Sequence, residues 1–512
     1  MISKINTATL TGLESDIVTV ETCLTNQLPG ISITGLASQT IQESRERVRV
    51  AIAASGFRFP HKKVTINLAP AWSRKEGSHF DLPMAIGILA ASGELKEQQY
   101  TDYAFIGELS LDGSINSVTG ALPLIIGLRD GGIKKIILPK GNAEEASIVR
   151  DVILYAADSL KQAIELLQGA DSKPYNSCVK YRYGSSDGTN GLYEDVVGQE
   201  SAKRAITICV AGGHGIFMMG FPGSGKTMLA QRIPSIMPEM TYEEMLEATK
   251  VYSVAGELSN RRPMIIQRPF RTPHHTISPA ALLGGGGIPK PGEISLAHHG
   301  VLFLDEFPEF SRQVLEMLRQ PLEERKINIA RAAHKVTFPS SIMLVAASNP
   351  CKCGFYGDDR HQCTCTTAQL NQYRSKISGP ILDRIDLQIE IPPVKYKELL
   401  EEDNIPGKSS ASMREAVKRA RKIQRERYIN EGISLNSELN AAQLREYCIL
   451  DTDCKALLRE GIEKLGLSAR AFSKVVKVAR TIADIDEDTS IRMHHIAEAM
   501  RYRSLDKFYR NL

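Results

Sequence analysis

The sequence predicts a multidomain α/β protein closed by an all-helical C-terminal domain. Two observations carry that reading: β-like runs alternate with helix-like runs up to about Lys395, and beyond it strand signals vanish while helical periodicity dominates. A third observation divides the α/β part. The segment Asp171–Asn190 is rich in Ser, Gly and Asn, lacks apolar periodicity and reads as a linker. At 512 residues the chain is too long for one core, and its length suggests roughly three domains. The 42% apolar and 24% charged residues are those of a soluble globular protein, and a net charge of +4 is too small to name a partner.

Taken in order, residues 1–170 carry the β-like runs Ile17–Val20, Ile31–Thr34, Val64–Leu68 and Ile136–Leu138 among the helix-like runs Gln39–Ser55, Leu82–Ser92 and Ala143–Arg150. They predict a compact α/β domain. Met1–Leu10 is polar and has no apolar signal-peptide core, and the longest apolar stretch, Leu82–Ser92, is too short to cross a bilayer. A cytoplasmic protein without a membrane partner is expected. After the linker at 171–190, a second α/β domain is expected over 191–394. A helical domain over 395–512 follows, with helices near Ser412–Tyr428, Ala441–Tyr447, Asp453–Leu465, Ala469–Ala483 and Met493–Tyr502.

In the second domain, Gly220-Phe221-Pro222-Gly223-Ser224-Gly225-Lys226-Thr227 reads G-x-x-x-x-G-K-T, between the apolar run Gly215–Met219 and a helix-like stretch from Met228. This is a phosphate-binding loop. Its glycines let backbone N–H groups turn toward a triphosphate, Lys226 reaches the β and γ oxygens, and the Thr227 hydroxyl holds Mg²⁺. ATP binding is expected at Gly220, Pro222, Gly223, Ser224, Gly225, Lys226, Thr227 and Met228. Downstream, Val301–Leu304 reads as a buried strand ending in Asp305 and Glu306. Asp305 would help hold Mg²⁺ and Glu306 would polarise the attacking water. A second buried strand, Ile342–Ala347, ends at Ser348-Asn349, where a polar side chain would orient that water. Arg384 precedes the β-like run Leu387–Ile391. It is read as stabilising phosphoryl charge in a neighbouring subunit, or else as a salt bridge to Asp383 or Asp386. Arg470, at the start of a long helix, would swing onto the γ-phosphate, or else belongs to the basic face of Lys474, Lys477 and Arg480.

Nine cysteines in a chain without an export signal point to a reducing compartment. Four form two C-x-C pairs, Cys351/Cys353 and Cys363/Cys365, able to surround one structural Zn²⁺, with His361 able to replace a sulfur and reduced thiols as the alternative. Cys23, Cys178, Cys209, Cys448 and Cys454 are scattered and read as ordinary packing residues.

Together, Gly220–Thr227, Asp305-Glu306, Asn349, Arg384 and Arg470 resemble the Walker A, Walker B, sensor 1, arginine finger and sensor 2 of an AAA+ ATPase. Arg271–Ser278, Leu283–Gly286 and Pro291–His298 resemble the magnesium-chelatase-like clade, and with the double C-x-C the whole chain resembles the ComM/YifB family. That resemblance implies an insertion in the second ATPase helix near Arg268–Gly300. It also implies a hairpin before sensor 1, for which Lys326–Ile329, Ala330–Lys335 and Val336–Phe338 read as strand, basic turn and strand. There Arg331, His334 and Lys335 would grip DNA phosphates in a ring's pore, or else serve as solubilising charges. The first domain resembles the Lon-protease fold, with His79 of Lys75–Asp81 at the nucleophile position and Ser78 beside it. Gly113–Leu122, where the Lys base would lie, contains no Lys, so no peptidase activity is expected. The implied function is a homohexameric, ATP-driven DNA motor that migrates branched DNA during recombination and natural transformation, with recombination proteins as partners. The alternatives are an ATP-dependent protein-remodelling component and a chelatase motor subunit.

Overall fold

The computed structural model describes residues 2–169, 173–176, 191–259, 262–287, 289–330, 335–393, 408–465, 468–506 and 508. The expected linker at 171–190 therefore lies largely outside the described residues, as do Cys178 and the boundary at 394–407.

The N-terminal part is built on a seven-stranded mixed sheet. Its order is Gly30–Thr34, Lys63–Ala69, Glu14–Thr25, Ile2–Thr11, Tyr103–Phe105, Lys135–Pro139, Ile153–Ala157. The first two long strands form a hairpin paired from Ile2↔Cys23 to Thr11↔Glu14, turning through Gly12 at φ 69°. The helix Asp81–Ser92 is apolar on nearly every side, so no single face settles its orientation. It is accordingly buried from Asp81 to Ala91 against that hairpin and stops at Gly93 in the left-handed conformation. One expectation is corrected: the helix placed at Ala143–Arg150 runs from Lys140 to Ala146, because Pro139 at ψ 139° fixes its start.

The second sheet has five parallel strands in the order Phe270–Arg271, Val301–Leu304, Met343–Ser348, Ile216–Gly220, Leu387–Ile391. The register pairs Met219 with Ser348 and Leu304 with Ala346, so the strand ends leading into the phosphate loop, Asp305 and Asn349 meet at one edge. Parallel strands buried on both faces are continuous apolar runs, and each of these three is buried throughout. The insertion is expected near Arg268–Gly300. That span opens with the sheet strand Phe270–Arg271, and among the described residues the small hairpin Gly284–Gly285/Lys290–Pro291 lies between the short helices Pro279–Leu283 and Glu293–Leu296. A two-residue strand is too short for alternation to reveal.

The C-terminal helices pack on this sheet unit rather than apart from it. Ser410–Arg427 lies along Glu200–Gly212, where the buried Arg421 guanidinium donates to Val210 O at 2.8 Å. Met413, Val417, Val475 and Ile482 join Ile206, Ile216 and Val345 in one hydrophobic cluster. The N-terminal part is joined as well: Leu122, Leu124 and Leu128 pack with Met245, Val251 and Tyr252 of the helix Tyr242–Ala255, and Tyr242 OH donates to Ile148 O at 2.8 Å.

Candidate nucleotide site and cysteine cluster

Beyond Gly220 the chain turns through Gly223 (φ 75°) and Gly225 (φ 88°), backbone that favours glycine. Gly220 has no room for a side chain, since a Cβ would stand 2.6 Å from Ile391 O. Lys226 is buried. Its Nζ donates to Gly220 O (2.7 Å), Phe221 O (2.9 Å) and Asn349 Oδ1 (3.0 Å). Burial pushes this ammonium below the ordinary lysine range, with Asp305 opposing the shift. Thr227 Oγ1 donates to Asp305 Oδ2 at 2.7 Å, which puts two hard oxygens side by side, the donor type Mg²⁺ takes. Ser224 Oγ is buried without a hydrogen-bond partner, an orphan inside a glycine cradle that suits a phosphate-binding loop. Met228 lies half-exposed on the helix that follows, and Pro222 faces the cysteine loop.

Glu306 occupies left-handed backbone, φ 50° and ψ 44°, with its N–H donating to Asp305 Oδ1 at 2.9 Å. A non-glycine residue held there costs roughly 1 kcal/mol and turns the two acids apart, Asp305 toward Thr227 and Glu306 outward. Oε2 of Glu306 lies 3.2 Å from Nδ1 of His275. His275 was missed as a site residue. It stands in the Arg271–Ser278 motif that carried the family resemblance, but nothing in that spacing reveals a contact with the acid pair.

Arg384 and Arg470 do not join this group. Both turn to Glu323, with Arg384 at 2.7 Å and Arg470 at 3.5 Å from the same Oε1. They line a cavity of about 150 Å³ with Asp383, Lys474 and Lys477. Of the two acids offered as alternative partners for Arg384, Asp386 is met by Lys474 (2.6 Å) and His214 (3.1 Å), and Asp383 lies 3.7 Å from Arg503. Arg470, exposed at its side chain, rests 3.5 Å from Glu323 rather than beside Lys226.

The four cysteines come together, none of them in a disulfide. Sγ of Cys351 lies 3.3 Å from Cys353 and 3.8 Å from Cys363, Cys353 lies 3.5 Å from Cys363, and all four sulfurs including Cys365 fall within 4.8 Å of one another. Tetrahedral thiolates at about 2.3 Å from a zinc ion sit roughly 3.8 Å apart, so the set fits. Desolvation raises the Cys353 thiol, but the N–H groups of Phe355 and Thr364 outweigh it and bring it down to about 5. His361 does not replace a sulfur; its Nδ1 lies 3.0 Å from Asp358 Oδ2.

Of the hairpin residues expected to hold DNA, Arg331 and His334 lie outside the described residues. Lys335 is exposed opposite Ala330, where Lys326–Ala330 pairs antiparallel with Lys335–Pro339. In the N-terminal part, Ser78 Oγ donates to the Glu108 carboxylate. His79 is buried and held at Ala8 O (2.9 Å), and burial pushes it down to about 4. Lys75 Nζ donates to the carbonyls of Pro70 and Ser73.

A phosphate loop, an acid pair on the neighbouring strand but one and an asparagine between them, on a parallel sheet with a helical C-terminal part, define a P-loop ATPase fold of the AAA+ class. Family models described as magnesium chelatase subunit ChlI match residues 192–399 and 20–142, and one for the C-terminal part of that subunit matches 407–503. The chain is 42% identical over 504 residues to the competence protein ComM of Haemophilus influenzae, covering 98% of this chain and 97% of the relative. It is 41% identical over 508 residues to the uncharacterized protein YifB of Escherichia coli, covering 99% and 98%. Over 145 residues, 26% of each chain, it is 30% identical to Lon protease 2 of Bacillus subtilis. The protein belongs to the ComM/YifB family of magnesium-chelatase-like AAA+ proteins. No described helix is long and apolar enough to cross a membrane.

Proposed function

We propose that this protein hydrolyses ATP with Mg²⁺ and uses the energy to move along branched or single-stranded DNA as a homohexameric ring, migrating junctions during recombination and the integration of incoming DNA. The observation that carries the ATPase reading is the convergence of Lys226 on Asn349 and of Thr227 on Asp305. In this reading Lys226 and the glycine N–H groups hold the phosphates, and Thr227 and Asp305 hold Mg²⁺, which supplies neutralisation of phosphate charge. Glu306 takes the proton of the attacking water while Asn349 orients it. Arg384 serves the nucleotide of the next subunit, which requires a ring, and Arg470 leaves Glu323 to reach the γ-phosphate. The name of the Haemophilus influenzae relative, a competence protein, favours DNA as the cargo. Lys335 and its hairpin supply the contact with phosphate. The cysteines hold a structural zinc, and the site of action is the cytoplasm, with recombination proteins as partners.

The likeness to a Lon protease favours a second reading, remodelling of protein rather than DNA. Ser78 bound to Glu108 and the buried, neutral His79 argue against peptidase chemistry in it. Glu306→Gln tests the ATPase reading: the variant binds ATP, sediments as a hexamer and turns over at least about a hundredfold more slowly. Normal turnover would remove Glu306 from its role, and a fully active monomer would remove the ring.

A further inference from the structure

The cysteine loop touches the phosphate loop. Gly354, at φ 91°, lies against the Pro222 ring so closely that a Cβ would stand 2.5 Å from Cγ and 2.9 Å from Cδ. The same loop begins two residues after Asn349, the partner of Lys226, and Cys351 is fully buried at that junction. On its other side, Tyr356 lies 4.5 Å from the Arg374 guanidinium, which stacks at 3.8 Å on Phe508. Between Cys351 and Cys365 the backbone has no helix or strand. Few backbone bonds close it, Gly354 N–H to Cys351 O (3.0 Å) and Asp358 N–H to Phe355 O (3.1 Å) among them. A loop without a ladder keeps its shape through its side chains, and the side chains at its two ends are the four thiols.

We propose that Cys351, Cys353, Cys363 and Cys365, when they share a zinc-class cation, hold Gly354 against Pro222 and so brace the phosphate loop, making metal loading of this cluster a control on nucleotide affinity. The proposal rests on the zinc and ATP readings above. With the sulfurs bridged, the segment from Asn349 through Gly354 is fixed at both ends, and Phe221-Pro222 cannot relax away from Lys226. With the sulfurs unbridged, only weak S–H···S contacts of 3.3–3.8 Å among Cys351, Cys353 and Cys363 tie the loop, and Gly354 is a softer stop for the proline ring. Pro222 has a fixed φ, so movement of its ring is movement of the loop backbone that would face a phosphate.

The test uses the full chain and measures zinc per chain by elemental analysis alongside equilibrium binding of a fluorescent ATP analogue, with no turnover required. Zinc-loaded protein, chelator-stripped protein, stripped protein given zinc back, and the variants Cys363→Ser/Cys365→Ser and Gly354→Ala are compared. Stripping or the double cysteine variant is expected to weaken nucleotide binding at least about tenfold, reversed by zinc only where the thiols are intact. Gly354→Ala keeps all four thiols and its zinc yet weakens binding, because its Cβ drives Pro222 away. Equal nucleotide affinity in loaded and stripped protein, or wild-type affinity in Gly354→Ala, overturns the brace while leaving the zinc reading standing. The absence of cysteine-dependent zinc uptake overturns the zinc reading, and the brace with it.

Discussion

Replacing Glu323 by Gln perturbs the one carboxylate that Arg384 and Arg470 share. Arg384 is 7% exposed at its side chain and Glu323 is 44% exposed, with 2.7 Å between them. A charge-assisted bond of that geometry is worth about 1.5–3 kcal/mol when dry. Solvent on the carboxylate reduces the net to about 1 kcal/mol. Arg470 adds little at 3.5 Å and 58% exposure. If Arg384 serves the nucleotide of the next subunit, it must first leave Glu323, and that cost is part of the barrier. Glu323→Gln keeps the shape, removes the charge and should raise kcat about fivefold. The price is local stability, because Arg384, Arg470, Lys474 and Lys477 then share the cavity with one acid fewer, and thermal unfolding should shift down by about 1 kcal/mol. Steady-state ATPase assays on the intact chain, with a melting curve as control, read both effects. A fall in kcat matching that of Arg384→Ala would refute the reasoning, since Glu323 would then aim the arginine rather than restrain it.

Further outcomes follow from the same geometry. Lys226→Ala removes three hydrogen bonds but also a desolvated charge, so its melting temperature should stay near wild type while ATP affinity drops at least about a hundredfold; calorimetric titration reads the second. His275→Ala should lower kcat about tenfold with little change in the KM for ATP, because it touches Glu306 and not the phosphate loop; a change confined to KM would place it elsewhere. His79 has its pKa lowered in the folded state to about 4, from 6.5. The unfolded chain therefore binds the proton first, and about 3 kcal/mol of stability, fully present above pH 6.5, is lost as pH falls toward 4. Denaturant unfolding of wild type and His79→Gln across that range should differ by this amount, and identical pH dependence would contradict it.

The nucleotide site was legible because its chemistry is local: a glycine loop before Lys226, and acids or an amide at the ends of apolar strands, are patterns of neighbours in the chain. The parallel register then brings those strand ends together without any further signal. Arg384 and Arg470 were recognisable as residues but not as a pair, since their common partner Glu323 is fixed only by tertiary packing. The same is true of Gly354 on Pro222, which no spacing announces. The cysteine spacing showed which sulfurs meet, whereas His361 looked equivalent until Asp358 claimed it. The strand Ile2–Thr11 was hidden for a different reason. Its buried face is built partly from Ser3, Thr7 and Thr9, so hydrophobic alternation understates it. The small strand Phe270–Arg271 is shorter than any period.

The central claim is that ATP turnover at Lys226, Asp305 and Glu306 is coupled to DNA. The direct measurement is the ATPase rate of the intact chain at low salt with no addition, with forked or single-stranded DNA, and with unfolded protein. Stimulation by DNA that disappears in Lys226→Ala and is weakened in Lys335→Ala is the predicted result. Turnover indifferent to DNA but raised by unfolded protein would contradict it.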